Sequence, residues 1–187
     1  MSEENTNEIG KVKENQMREI KIAKIVVNIG CGEAGEKLDR AKRLLKDLVG
    51  KDVCTTKTTG RTTFGMPKGR ELGTKVILRG EEAETFLKRA FVAVENKISK
   101  RVFDKQGNFS FGVKEHIAFP DVRYNPEIGI YGMDVCVVLE RRGFRVARKR
   151  DSRKIGKSHR ISAEQASAWT VEKFGVKLVS KKNTSDF

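Results

Sequence analysis

The chain has 187 residues, of which 39 are Lys or Arg and 25 are Asp or Glu; its formal net charge is +14 and 37% of it is apolar. That length makes one domain, or one domain with extensions, and buries a core without disulfide or metal staples, and a cationic excess of this size calls for a polyanion, nucleic acid ahead of an acidic membrane surface, because unscreened it would repel itself. No apolar run approaches the roughly 18 residues that cross a bilayer, and the N-terminus is acidic and polar rather than a signal peptide, so a soluble cytoplasmic protein with no membrane partner is expected.

Residues 1–16 carry Glu3, Glu4, Glu8 and Glu14 among asparagines and almost nothing apolar, which predicts a disordered tail. A single domain is expected over 17–180, with 181–187 as a C-terminal tail. Ile20, Ile22 and the run Ile25, Val26, Val27, Asn28, Ile29 predict a strand that Gly30 ends. Leu38, Ala41, Leu44, Leu45 and Leu48 then recur at helical spacing, with Gly50 as the stop, and predict an amphipathic helix over 36–49. The link between them spells GxGxxG from Gly30 to Gly35. In a dinucleotide-binding enzyme such glycines admit a pyrophosphate to the helix N-terminus. Here Glu33 would face that pyrophosphate, residues 53–59 are polar, and no acidic residue closes a second buried strand. A tight strand-to-helix turn is the better reading, and an enzyme stays open only as an alternative that needs a pocket with perturbed acids or bases.

Residues 57–73 hold Lys57, Arg61, Lys68 and Arg70 with four glycines and no acid before Glu71. This predicts a mobile basic loop whose backbone can approach phosphates and whose tip presents Phe64 and Met66. A strand over 75–80 leads to a helix opened by Glu81, Glu82 and Glu84. Leu87, Phe91, Val94 and Ile98 mark its buried stripe to an end near Ser99. A turn over 104–107 introduces a short strand with Phe109, Phe111 and Val113 on one face, and Pro and Gly punctuation predicts an ordered loop over 116–132. Met133, Val135, Val137 and Leu139 face one way on what reads as the central strand of the sheet. Gly143 then predicts a hairpin turn inside a basic arm, 141–160, in which ten Lys or Arg meet the single Asp151. Ser162 and Gln165 predict a capping box for a last helix bearing Ala166, Trp169 and Phe174, with Trp169 as a packing anchor and Gly175 as the stop.

Cys31, Cys54 and Cys136 are far apart, and His116 and His159 lack ligand spacing, so free thiols, no metal and no cofactor are expected. The mixed element order predicts an α+β two-layer sandwich: a mostly antiparallel sheet with helices packed on one face, plus a basic loop. A free-standing RNA chaperone would share the charge but should show denser aromatic platforms than 7% of residues supply.

Five motifs carry a resemblance: Val26 to Gly30 with the glycine turn; 75–80; 107–112 followed by Glu115 and His116; Phe119 and Pro120; and Gly132 to Val135. In this order, over residues 17–179, they resemble the fifth large-subunit ribosomal protein family, the 5S rRNA-binding family, in its archaeal form. The resemblance implies a non-enzymatic constituent of the large ribosomal subunit, seated in the central protuberance on 5S rRNA and 23S rRNA beside a neighbouring 5S rRNA-binding ribosomal protein. It further implies a basic loop that reaches P-site tRNA and an inter-subunit bridge to a small-subunit head protein. On matching positions the implied rRNA-binding residues are Asn28, Thr56, Lys57 and Arg79, with Arg145, Arg148, Lys149 and Arg150 in the archaeal basic extension. The implied tRNA contacts are Arg61, Phe64, Met66, Lys68 and Arg70. Lys51 stands where many relatives have Gln, and Ile77 where they have Thr, so the polar contacts of those residues are replaced or lost.

Overall fold

Strand β1 (Ile20–Gly30) buries Ile25, Val27 and Ile29 and leaves Lys24, Val26 and Asn28 half-buried on its other side, the two-residue period of a pleated strand. Around it the computed structural model, which describes residues 15–61 and 65–179, builds a five-stranded sheet in the order β2-β3-β1-β6-β5. Its other members are β2 (Cys54–Lys57), β3 (Glu71–Leu78), β5 (Phe109–Val113) and β6 (Met133–Arg141), and every pairing is antiparallel. Of the predicted tails over 1–16 and 181–187, residues 1–14 and 181–187 lie outside the described residues, as does the predicted loop residue Phe64, while Asn15 caps a 3-10 turn over Gln16–Arg18. The expectation that 133–139 forms the sheet's centre is corrected. The middle strand is β1, and β6 lies one step toward the β5 edge. Both are interior strands with one face in the core, so both read as strongly apolar, and apolar content alone does not rank them.

Three helices cover one face. Helix α1 (Glu36–Val49) buries Leu38, Ala41, Leu44, Leu45 and Leu48. Helix α2 (Glu81–Ala93) buries Ala83, Phe86, Leu87, Ala90 and Phe91, and α3 (Ala163–Phe174) follows the capping box that Ser162 and Gln165 were expected to make. With the inward residues of the sheet they form one continuous core, in which each fully buried Leu, Ile or Phe contributes about 1.5–3 kcal/mol. Phe91 is its hub, stacked 5.4 Å from Phe111 and edge-on at 5.2 Å to Phe174. Trp169 packs edge-on against Phe174 at 5.8 Å, the anchor its position predicts. The architecture is the predicted α+β two-layer sandwich.

Three elements depart from expectation. Helix α2 does not run to Ser99; it ends at Ala93, because Glu95 and Asn96 both adopt a left-handed φ of 55°. Residues Lys97–Ser99 then form β4, paired in parallel with β7 (Lys177–Val179) in a small second sheet, and Ile98 is buried from a strand rather than a helix. The strand expected from 75 begins at Glu71, and β2 pairs with it, so both ends of the predicted 57–73 loop are ladder. The hairpin expected after Arg141 is absent. Gly143 leads instead into a 3-10 turn over Phe144–Arg148, a second follows over Lys157–His159, and Phe144 packs edge-on against the His159 ring at 5.6 Å.

The turn before β5 is as predicted: Gly107 donates its N–H to the Asp104 carbonyl at 2.9 Å with φ of 78°. A Cβ there would stand 2.6 Å from Ile161 Cγ2, so only glycine fits.

Candidate nucleic-acid interface

The uncovered face of the sheet is set by parity. Asn28 lies opposite Lys75 on β3 and Asp134 on β6, while Val26 lies opposite Ile77 and Cys136. Thr56 of β2 lies opposite Gly73, two residues from Lys75. Thr56 Oγ1 occupies the space above Gly73, 2.9 Å from where a Cβ would be. Lys24 shares the parity of Asn28, and Arg79 continues that of Lys75 and Ile77 just past the end of β3. The fold therefore gathers predicted Asn28, Thr56 and Arg79 on one helix-free surface. Lys24 and Lys75 join them there, two cations that their alternation with Asn28 and Arg79 would have revealed. Burial and the neighbouring Asp134 carboxylate push the Cys136 thiol pKa up on this face. Predicted Lys57 sits at the sheet edge beyond a bulge, 3.4 Å from the Glu71 carboxylate.

The predicted tRNA loop projects from the same edge. Its base is pinned by Thr58, which exchanges backbone hydrogen bonds with Gly69 and Arg70 at 3.0 and 2.9 Å and donates its hydroxyl to the Pro67 carbonyl at 2.7 Å. Arg61, Lys68 and Arg70 are exposed, Met66 is half-buried, and all four lie outside the β2–β3 ladder.

The basic arm is anchored at its root. Arg141 continues the inward parity of Leu139 and is only 8% exposed. Its guanidinium donates to the carbonyls of His159 and Arg160 at 3.3 and 3.4 Å and to Gln165 Oε1 at 3.0 Å. Burial, and then the nearby Arg18, draw its pKa down from the ordinary arginine value. One of the arm's ten cations is thus a structural clasp. His159 Nε2 lies 2.8 Å from the Arg142 carbonyl, so this nitrogen carries the proton and donates. Predicted Arg145, Arg148, Lys149 and Arg150 are all exposed, and Arg148 is ion-paired with Glu140 on the open face.

The ordered 116–132 loop is built on His116, which is buried. Its N–H donates to the Tyr131 carbonyl at 3.0 Å and its Nδ1 accepts the Tyr131 N–H at 3.3 Å, while the Tyr131 hydroxyl donates to the Lys37 carbonyl of α1 at 3.1 Å. Burial holds the His116 pKa below its ordinary value against the weaker opposing pull of the Tyr131 hydrogen bond and Glu115. Neutral His116 is therefore a structural acceptor.

The GxGxxG turn closes onto the neighbouring strand. The N–H groups of Cys31 and Gly32 both donate to the Leu72 carbonyl, at 2.9 and 3.0 Å, so these two donors are spent on β3. Among the described residues no group of three or more His, Cys, Asp or Glu is placed to hold a metal ion, and no helix is long and apolar enough to cross a membrane.

A family model described as ribosomal protein L5 matches residues 15–60, and a second, described as the C-terminus of the same ribosomal family, matches residues 71–166. The large ribosomal subunit protein uL5 of Sulfurisphaera tokodaii is 47% identical over 168 residues, covering 88% of this chain and 95% of the relative. The protein of that name from Archaeoglobus fulgidus is 47% identical over 165 residues, covering 87% and 92%, and that from Pyrobaculum aerophilum is 44% identical over 169 residues, covering 89% and 94%. With both halves matched in order and the alignment spanning nearly the whole domain, the chain belongs to the ribosomal protein L5 family, a structural and non-enzymatic family of the large ribosomal subunit.

Proposed function

We propose that the chain is a cytoplasmic, RNA-binding structural constituent of the large ribosomal subunit that seats on 5S rRNA and 23S rRNA in the central protuberance. Asn28, Thr56, Lys57 and Arg79 on the sheet and Arg145, Arg148, Lys149 and Arg150 on the arm are the rRNA-binding residues. Arg61, Phe64, Met66, Lys68 and Arg70 reach P-site tRNA. A neighbouring 5S rRNA-binding ribosomal protein and a small-subunit head protein are its protein partners.

The observation that supports this reading best is the shared face of Asn28, Thr56 and Arg79 with Lys24 and Lys75. Cations on a rigid ladder meet phosphates at fixed spacing, and the Asn28 amide can both donate to and accept from an RNA base or 2′-hydroxyl. Titration of the full chain with 5S rRNA tests the proposal. If about six phosphates are neutralised, affinity falls about a thousandfold between roughly 50 and 200 mM salt. A salt-independent affinity, or no binding, overturns it.

A further inference from the structure

Between the arm and the end of the sheet lies a cavity of about 550 Å³, within the size range of pockets that hold a small organic group. Val138, Phe144, Ile155 and Ile161 give it apolar walls. Val138 and Ile155 are half-buried but stand outside the continuous core, so the cavity is where their apolar surface is used. Asn108 spends its Oδ1 on the Leu139 N–H at 3.3 Å, which leaves its amide N–H groups free to donate. Arg153, Lys154 and Arg160 also line the cavity, and none of them is in an ion pair among the described residues. The one acid in the lining, Glu140, is neutralised by Arg148. The Arg141 clasp holds the Arg160 backbone on one side of the cavity, and on the other the Arg153 N–H donates to the Val146 carbonyl at 3.2 Å.

An apolar slot with a few directed donors and three uncompensated cations fits a ligand that is flat and apolar at one end and anionic at the other. Each nucleotide of a single strand offers that pair, a base beside a phosphate, whereas a peptide would need an apolar side chain and carboxylates at matching spacing. Resting on the RNA-binding reading above, we propose that this cavity receives one unstacked base of a single-stranded RNA segment, with Arg153, Lys154 and Arg160 on the flanking phosphates.

The test compares the full chain's affinity for ten-nucleotide homopolymers of A, C, G and U with its affinity for an abasic ribose-phosphate strand of the same length. At least one base-bearing strand should bind about tenfold tighter than the abasic one, the scale of one base stacked on protein. Ala147→Leu, at an exposed position in the lining, should narrow the slot and erase that preference while leaving the abasic affinity unchanged. Ile155→Ser, which strips an apolar wall without adding bulk, should do the same if the first variant fails to fold. Replacing Arg153 and Lys154 together by Ala should weaken every strand and lower the salt dependence by about one released counterion per cation. Equal affinity for abasic and base-bearing strands, or a base preference that survives both cavity variants, overturns the inference. So does a polyglutamate chain that binds and is displaced by Ala147→Leu, which would mark a protein dock. If no strand binds but 5S rRNA does, the inference fails alone; if 5S rRNA also fails to bind, the proposed function fails with it.

Discussion

Residues 58–70 and 141–160 are both cationic, punctuated by glycine and nearly free of acids, yet the body of the protein holds them in different ways. Among the described residues, the first is tied down at its base, where Thr58 meets Pro67, Gly69 and Arg70. The second is fastened at its root by the buried Arg141 and braced across its span by the contacts of His159 and Phe144. Hydrogen bonds at a segment's base fix where it leaves the sheet, whereas a buried clasp fixes how a segment lies against the core. Charge density therefore does not distinguish a tether from a built surface; the placement of one interior side chain does.

The sharpest break of that comparison is Arg141→Leu. It removes charge-assisted hydrogen bonds to two carbonyls and to Gln165 from a buried site, so a loss of about 3 kcal/mol is expected, and a thermal scan should show a drop of about 10 °C at this chain length. Trypsin should then cut the arm faster than it does in the parent protein. The neighbouring Arg142→Leu, at an exposed residue whose partner is the surface carboxylate of Glu19, should change stability by less than about 0.5 kcal/mol. Equal effects from the two variants would mean that the arm is not clasped.

At the other segment's root the corresponding break is Gly73→Ala. The new Cβ would stand 2.8 Å from the Ile29 carbonyl and 2.9 Å from Thr56 Oγ1, and backbone cannot yield as a long side chain can. A loss of about 2 kcal/mol in urea denaturation is expected. Asn28→Ala separates function from fold on the face between the two segments: 5S rRNA affinity should fall by about 1–2 kcal/mol with little change in melting temperature. A large drop in melting temperature would make Asn28 structural instead.

Much of this was legible in the sequence, and the failures have identifiable causes. The α1 and α3 boundaries follow from period and capping residues, and the shared face of Asn28, Thr56 and Arg79 follows from parity once the strands are registered. Arg141 was equally legible: it is in phase with Val135, Val137 and Leu139, but the surrounding cations concealed the phase. The end of α2 was masked because Val94 and Ile98 keep helical spacing, and the left-handed turn falls on Glu95, which gives no local signal, as well as on Asn96, which gives a weak one. Strands β4 and β7 are three residues each and pair across the length of the domain, so neither carries a period of its own. The rank of β1 over β6 depends on which strands flank them, a tertiary fact.

A smaller effect sharpens the comparison through pH. Because His116 is buried, its pKa is held below the ordinary 6.5, and the unfolded chain binds its proton at higher pH than the folded one. Stability should therefore be intact above about pH 6.5 and fall as the pH drops below it toward the lower native value. Urea midpoints measured between pH 7 and 5 should show this slope in the parent and a flatter one in His116→Gln. An unchanged slope would place the acid sensitivity elsewhere.

The smallest expected effect on the fold is the most informative about the two basic segments. Replacing Arg61, Lys68 and Arg70 by Ala removes exposed cations that lie outside the β2–β3 ladder, so the melting temperature should not move. Only long-range attraction to 5S rRNA is lost, and at moderate salt that is screened over about 10 Å, so affinity should stay within about 1 kcal/mol of the parent. If the loop serves P-site tRNA as proposed, ribosomes reconstituted with the triple variant should release that tRNA faster in filter binding while the 5S rRNA complex stays intact. The same number of charges removed from Arg145, Lys149 and Arg150 on the clasped arm should do the reverse, weakening rRNA binding and sparing tRNA. Were the loop variant to abolish 5S rRNA binding and leave tRNA release unchanged, the tethered segment would belong to the ribosomal RNA interface, and anchoring would no longer separate the roles of the two segments.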